Sequence, residues 1–467
     1  MDIISDILYP QYLKSRAVTT DSRKITSGCI FFAFKGANFD GNAFAGQALQ
    51  QGAALCVISD ASSKVDERCI VVPDVLITLQ DLAHYHRSQL SIPVVGITGT
   101  NGKTTTKELV NAVLSRRFRT HATQGNLNNH LGVPLTLLSM PQETDIAIVE
   151  MGASHPGEID MLCGIAQPTV GLITTVGKAH LEGFGSFEGV VQAKTELYRY
   201  LAVNSGTVFV NEDNDILLSK AEELSTLRDE PSPVPGYIPP MPTQFKDDEK
   251  GPMLSIVTYG SKENAEVKGR LVGASPYLKF YLEENDQVYS VQTQLLGVYN
   301  FVNAMAAVCV GRYFGVDFYE IKEALEQYSP HNNRSEYVKT DHNELIMDCY
   351  NANPSSMSVA LDSLLAMKSE GGKWAMLGQM NELGDDSVKE HEAIVDKLRL
   401  ASLAGVILVG SNFRFAEGRT LSNGNKILWF PTTEETRQYL VRHTIANSIV
   451  LLKGSNSTRM WNLREVL

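Results

Sequence analysis

From Pro93 onward the chain repeats one pattern: a short apolar run, a loop, then an amphipathic stretch of helical period. The strand-like runs are VVGIT (94–98), DIAIVEM (145–151), VGLITTV (170–176) and TVFVN (207–211). Alternation of this kind predicts a parallel sheet covered by helices. Ahead of it, residues up to about 90 form a mixed α/β segment, in which CIFFAF (29–34) and ALCVIS (54–59) flank a helix-like stretch near 42–51. From about 314 a second alternation begins. WAMLG (374–378), GVILVG (405–410), ILWF (427–430) and IVLLKG (449–454) are separated by helical patterns near 387–402 and 433–446. The order is that of a Rossmann-type sheet, but no G-x-G-x-x-G follows its strands, so a dinucleotide cofactor is not supported.

The chain has 467 residues, which at roughly 100–200 residues per domain predicts about three domains. The expected boundaries give an N-terminal α/β domain (1–90), a central parallel-sheet domain (91–313) and a C-terminal Rossmann-like domain (314–467). Residues 231–242 hold six of the 18 prolines and precede the charged run KDDEK. This predicts an exposed insertion near 228–252, without regular structure, inside the central domain.

Composition narrows the function classes. A net charge of −12 argues against nucleic acid or an anionic membrane as partner, because either needs a basic field. The six cysteines are scattered with no C-x-x-C pair, and read as reduced, buried thiols rather than a disulfide or zinc framework. Asp2 and Asp6 stand where a signal peptide needs positive charge and apolar length. No run approaches 18 apolar residues. A cytoplasmic protein is expected, and nothing in the sequence demands more than a monomer.

The strongest local chemistry lies at Gly96-Ile97-Thr98-Gly99-Thr100-Asn101-Gly102-Lys103-Thr104-Thr105. It follows a strand and opens a helix whose apolar positions Leu109, Val110, Val113, Leu114 and Phe118 share one face. Glycines let backbone N–H groups turn inward around phosphate oxygens, the helix N-terminus adds partial positive charge, and Lys103 reaches the terminal phosphates. Thr104 is placed to ligate Mg²⁺ through its hydroxyl. The strict phosphate-loop pattern needs glycine at 97, where this chain has Ile97, so the loop is a variant; a glycine-rich turn capping a helix is the plainer alternative.

Three downstream residues can converge beside the loop: Glu150 at a strand end, His180 after the run 170–176, and Lys194 on a helix. A carboxylate and a neutral imidazole are what a metal site there requires. Taken singly each has a bland alternative: a solvated edge carboxylate, a satisfied histidine, a solvent-exposed lysine.

Taken together these segments resemble the Mur ligase family of cell-wall amide ligases. GTNGKTT (99–105) resembles its ATP loop, and TQGNLNNHLGVPLTLL (123–138) its substrate-contacting turn, with Asn126, Asn128 and Asn129. AHLEGFGSFEGVVQAKTEL (179–197) resembles the segment carrying the metal-binding His180 and a lysine, Lys194, that is carbamylated in the family. LLGVYNFVNAMAA (295–307) resembles the adenine-contacting stretch, with Asn303 at the base. TTDSRKITSGCIFFAFKGANFDGNAF (19–44) is similar to the UDP-sugar signature, whose polar turn falls on Thr20, Asp21, Ser22 and Arg23; Asn42 stands where relatives usually have His. HNNRSEYV (331–338) and MDCYNANPSSM (347–357) resemble the D-alanyl-D-alanine-adding branch, and GQMNELG (378–384) with His391 and LLKGSNSTRM (451–460) complete the order.

The resemblance implies ATP, two Mg²⁺ ions, a UDP-N-acetylmuramoyl-tripeptide and D-alanyl-D-alanine as partners, with an acyl phosphate between them. It implies ATP contacts at Gly99, Thr100, Asn101, Gly102, Lys103, Thr104, Thr105, Asn303, Arg334, Asp348, Tyr350 and Asn351. Metal contacts are implied at Thr104, Glu150, His180 and a carbamylated Lys194, with Lys103, His180 and Lys194 catalytic. Two alternatives stay open: a folylpolyglutamate-type ligase, which needs no UDP-binding domain, and a nucleotide-binding regulatory protein without chemistry.

Overall fold

The computed structural model describes residues 2–226, 253–274, 276–284, 287–330 and 334–467. The proline-rich stretch 231–242 and residues 331–333 of the HNNR run lie outside these. Among the described residues three sheets follow one another. The first is all parallel, with order β1 (Val18–Thr19), β2 (Ile30–Phe32), β3 (Leu55–Ile58), β4 (Cys69–Val71). All six cysteines are free and buried.

The second sheet has nine strands. They are β5 (Val94–Thr98), β6 (Thr120–Ala122), β7 (Ile146–Glu150), β8 (Val170–Ile173), β9 (Thr207–Asn211), β10 (Ser255–Gly260), β11 (Val267–Ala274), β12 (Tyr277–Glu284) and β13 (Gln287–Leu296). Spatial order is β13-β12-β11-β10-β9-β8-β5-β7-β6. Strands β5 to β10 pair in parallel, as the alternation predicts. The sheet as a whole is mixed, because β11, β12 and β13 form an antiparallel ribbon on its flank. Burial on both faces explains why the parallel strands read as unbroken apolar runs. In β7, Ile146 and Ile148 enter one hydrophobic cluster while Ala147 and Val149 enter the other. The helices Lys103–Leu114, Asn300–Tyr313 and Phe318–Gln327 cover the first of these faces. The helices Val75–Ser88, Gly132–Leu138, Glu158–Ala166 and Phe187–Val203 cover the second, whose cluster continues into Ile30, Phe32 and Val57 of the first sheet.

The third sheet comprises β14 (Glu336–Lys339), β15 (Glu344–Asp348), β16 (Lys373–Gly378), β17 (Gly405–Val409), β18 (Leu428–Phe430) and β19 (Ile449–Lys453). Its order is β14-β15-β19-β16-β17-β18, parallel except for the edge strand β14. In such sheets ligands bind outside the carboxyl ends of the strands. The carboxyl ends of β5, β7 and β8 and those of β15 and β19 open onto the same space.

Candidate active site

That space is a cavity of about 720 Å³ between the second and third sheets. Its floor is the loop after β5. Gly99 has φ +140°, and a Cβ there would come within 2.1 Å of Thr174 Oγ1; Gly102 has φ +82°, with Asn303 Oδ1 at 2.5 Å from the corresponding position. Only glycine fits either turn. The loop is fastened to the segment after β8: Thr174 Oγ1 donates to the Asn101 carbonyl at 2.6 Å, and the Asn101 N–H donates to Thr175 Oγ1 at 3.1 Å. Gly99→Ala should therefore weaken ATP binding about ten- to a hundredfold, the worth of roughly 1–3 kcal/mol of backbone strain. Titration with a fluorescent ATP analogue checks this, and unchanged affinity would contradict the packing described.

Thr100, Asn101, Gly102, Lys103, Thr104 and Thr105 all line the cavity. Lys103 Nζ folds back onto the carbonyls of Gly99 (2.6 Å) and Thr100 (3.2 Å). Burial pushes its ammonium below the usual lysine range; Glu150 opposes that shift and Arg334 adds to it. A partly desolvated cation inside a phosphate-sized loop is suited to a polyanion.

Glu150 is only 1% exposed, so the solvated-edge alternative does not hold. Its Oε1 accepts from Thr104 Oγ1 at 3.1 Å and from Asn128 Nδ2 at 2.8 Å, while its Oε2 is buried without a hydrogen-bond partner. An acceptor-only oxygen left unpaired beside a threonine hydroxyl fits a hard divalent cation. Among the described residues no group of three or more His, Cys, Asp or Glu side chains is gathered to hold a metal.

His180, at φ +51°, lines the same cavity, and its Nδ1 lies 2.6 Å from Glu382 Oε2 without hydrogen-bond alignment. Lys194 lies just behind the wall, 2% exposed. Its Nζ donates to the Ala153 carbonyl at 3.1 Å and sits 5.2 Å from the Phe184 ring centroid. Burial, with Lys103 nearby, lowers this amine to about 7, against a partial opposing pull from Glu196 and Glu158. At neutral pH a large share of Lys194 is therefore uncharged, unlike a solvent-exposed lysine.

The third sheet supplies the opposite wall. Arg334 stacks over the Tyr350 ring, 3.6 Å from its centroid. Asp348, at the end of β15, accepts from Lys453 Nζ at 2.6 Å, and Lys453 also reaches the Asn351 carbonyl at 3.0 Å. Asn303 faces this wall from the helix Asn300–Tyr313, taking a hydrogen bond from Thr106 Oγ1 at 3.2 Å and giving one to Asn300 Oδ1 at 2.8 Å. Contacts tie the walls together: Asn353 Nδ2 donates to Asn101 Oδ1 at 2.8 Å, and Lys178 pairs with Glu390 at 2.9 Å.

Asn128 and Asn129 line the cavity, although Asn129 Oδ1 also caps a helix by accepting from the Leu131 (3.2 Å) and Gly132 (2.9 Å) N–H groups. Asn126 is exposed and does not line the cavity. Thr20, Asp21, Ser22 and Arg23 follow β1 away from it, with Arg23 paired to Asp21 at 2.8 Å. Asn42 is 2% exposed. Its Oδ1 accepts from the Ser59 (2.9 Å) and Asp60 (3.2 Å) N–H groups, which makes it a latch within the first sheet. Among the cavity residues that the sequence did not mark as site residues are Asn353, Glu382 and Lys453. The 2% exposure of Lys453, at the end of an apolar strand, is the kind of signal that marks a functional charge. Glu382 lies in the run GQMNELG (378–384), which the resemblance marked without giving this glutamate a role.

Three Mur ligase family models match the chain in order. "Mur ligase family, catalytic domain" matches residues 14–87, "Mur ligase middle domain" 97–228 and "Mur ligase, glutamate ligase domain" 333–456. The chain is 34% identical to the UDP-N-acetylmuramoyl-tripeptide--D-alanyl-D-alanine ligase of Bacillus subtilis (strain 168), covering 97% of this chain and 93% of that one. Among solved structures, MurF from Acinetobacter baumannii superposes with a TM-score of 0.81 at 31% identity, covering 96% of this chain and 92% of the other. MurF ligase from Thermotoga maritima in complex with ADP gives 0.80 at 26% identity, covering 97% of each.

Proposed function

Because the chain belongs to the Mur ligase family, we propose that its cavity joins the amine of D-alanyl-D-alanine to the terminal carboxylate of UDP-N-acetylmuramoyl-tripeptide, with ATP as the driving reactant. The products are the UDP-linked pentapeptide, ADP and phosphate, a step of peptidoglycan precursor synthesis. The observation that carries this reading is one cavity lined by the phosphate loop and Glu150 on one side and by the D-C-Y-N-A-N-P run on the other. A folate-type ligase is disfavoured by that run and by the N-terminal module matched at 14–87. The test is mass analysis of the product formed from this tripeptide with D-alanyl-D-alanine, with single amino acids, and with a folate and glutamate. Mass gain with the dipeptide alone is expected; gain only with glutamate would overturn the reading.

Amide formation from a carboxylate in water is uphill. ATP activates the carboxylate by passing its γ-phosphoryl group to the carboxylate oxygen, giving an acyl phosphate; the dipeptide amine attacks the carbonyl carbon, and phosphate leaves. The protein's part is positioning and compensation of charge on phosphoryl oxygens. Loop N–H groups and Lys103 act at the β- and γ-phosphates, for which Lys103 must leave the Gly99 and Thr100 carbonyls. Arg334, Asp348, Tyr350, Asn351 and Asn303 are proposed to hold the nucleoside. The contacts between walls exclude water from an acyl phosphate that water would destroy.

Thr104 and Glu150 are proposed to hold one Mg²⁺, and His180 with a carbamylated Lys194 a second. Bound there, the cations supply neutralisation of the transferring phosphoryl group. Support for the carbamate is the lowered amine of Lys194, since only uncharged –NH₂ adds to CO₂, giving –NH–COO⁻ and releasing a proton. Reactivation of CO₂-depleted enzyme at constant dissolved CO₂ should therefore slow as pH falls through about 7, because protonation removes the nucleophile. A rate flat across that range would contradict the assignment. Thr20, Asp21, Ser22 and Arg23 are proposed to meet the UDP end of the substrate, outside the cavity, and Asn126, Asn128 and Asn129 its peptide end. Among the described residues no helix is long and apolar enough to cross a membrane. A cytoplasmic monomer is proposed with this reading.

A further inference from the structure

The loop that follows β16 carries an unusual residue. Glu382 has φ +61°, a left-handed backbone that a non-glycine residue rarely holds. Such conformations persist where the surroundings over-determine them, and they gather at functional sites. Its carboxylate lies 2.6 Å from the Nδ1 of His180, itself left-handed at φ +51°. Two left-handed residues, one from each wall of the cavity, thus face each other. Around them the walls interlock: a Cβ on Gly384 would lie 3.5 Å from that of Glu182, and Lys178 pairs with Glu390 at 2.9 Å.

We propose that Glu382 is a positioning residue: it holds the His180 imidazole with Nδ1 protonated toward the carboxylate, so that Nε2 keeps its lone pair only when the two walls are closed. His180 Nδ1 is buried and lacks an aligned partner, and a carboxylate at this distance is satisfied by one tautomer, with Nδ1–H donating to Glu382 after a small rotation of the ring. Carboxylate–imidazole pairs of this kind fix the tautomer and heading of a ligating histidine. The consequence is a coupling between closure and chemistry: the third sheet brings the residue that readies a ligand belonging to the second. A purely structural ion pair predicts something else. The Glu382 side chain is 63% exposed, and exposed pairs contribute little to stability, so loss of the fold is not expected on its removal.

The inference rests on the role proposed above for His180, and the test separates the two. Histidine-¹⁵N-labelled full-length chain is held closed with ADP and UDP-N-acetylmuramoyl-tripeptide, and the His180 ring signals are assigned with His180→Asn. The wild type should show Nδ1 protonated and Nε2 bare. Glu382→Ala should lose that pattern, while Glu382→Gln, which retains an acceptor oxygen, should keep it. In steady state, Glu382→Ala should lower kcat about 10–100-fold with KM for ATP unchanged, and should have no further effect in a His180→Asn background. The same ring tautomer in wild type and Glu382→Ala, or effects that multiply in the double variant, would overturn the proposal. Full ligase activity in His180→Asn would instead overturn the underlying role of His180, whatever the ring signals show.

Discussion

Lys194→Ala should lose ligase activity by about a thousandfold, and short-chain carboxylates such as acetate or propionate should restore part of it. The argument starts from burial. Lys194 is 2% exposed, and its amine is lowered to about 7, so keeping it unmodified and charged in that wall is costly. An ammonium would repel a metal beside His180, whereas a carbamate places a carboxylate-like group there. Removing it forfeits roughly 4 kcal/mol of charge compensation in the phosphoryl-transfer step, which is the thousandfold. The alanine variant leaves room at the end of a long side chain, where a small carboxylate can substitute. Substitution with glutamine fills that room and should resist rescue. Steady-state rates with and without added carboxylate check this; full activity in Lys194→Ala removes the carbamate from the mechanism.

The second large effect is at Lys103. Lys103→Ala should lower kcat about 100- to 1000-fold, the usual cost of deleting one preorganised donor at a developing charge. The loop itself should survive, because Gly99 and Gly102 set its path and the bonds from Thr174 and Thr175 fasten it. Nucleotide binding should therefore weaken much less than turnover does. Lys103→Arg should also fail, since a planar guanidinium does not reproduce a compact ammonium in a cradle this tight. Comparison of kcat with the ADP dissociation constant checks the split. Weakened ADP binding with kcat unchanged would assign Lys103 to ground-state binding instead.

How far the sequence reached depended on whether a feature was local. Val94–Thr98, Ile146–Glu150 and Thr207–Asn211 are buried along their whole length, and each carries an apolar run with polar residues only at its ends. The phosphate loop was legible for the same reason, with its glycines, lysine and flanking elements within a few residues of one another. The ribbon of β11 to β13 was not. Gln287–Leu296 buries mainly alternate positions near its end, so half its residues are polar and its pattern is diluted. Pairings across the chain left no local trace. Asn353 meets Asn101, which lies 252 positions away, and Glu382 reaches His180 from a separate sheet. Burial separated the functional from the bland reading of Glu150 and Lys194, and burial of a charged residue is a property of the folded chain. Asn42, which stands where the resembled family usually has His, spends its amide oxygen on two backbone N–H groups.

The central claim is that one cavity, built from the second and third sheets, activates the tripeptide carboxylate for attack by the dipeptide amine. Its most direct test is ADP release, measured with UDP-N-acetylmuramoyl-tripeptide and D-alanyl-D-alanine together and with each alone. The account predicts sustained release only when both are present, reduced about 100-fold or more by Lys103→Ala. Release that proceeds equally without the dipeptide, or that ignores the tripeptide, would contradict it.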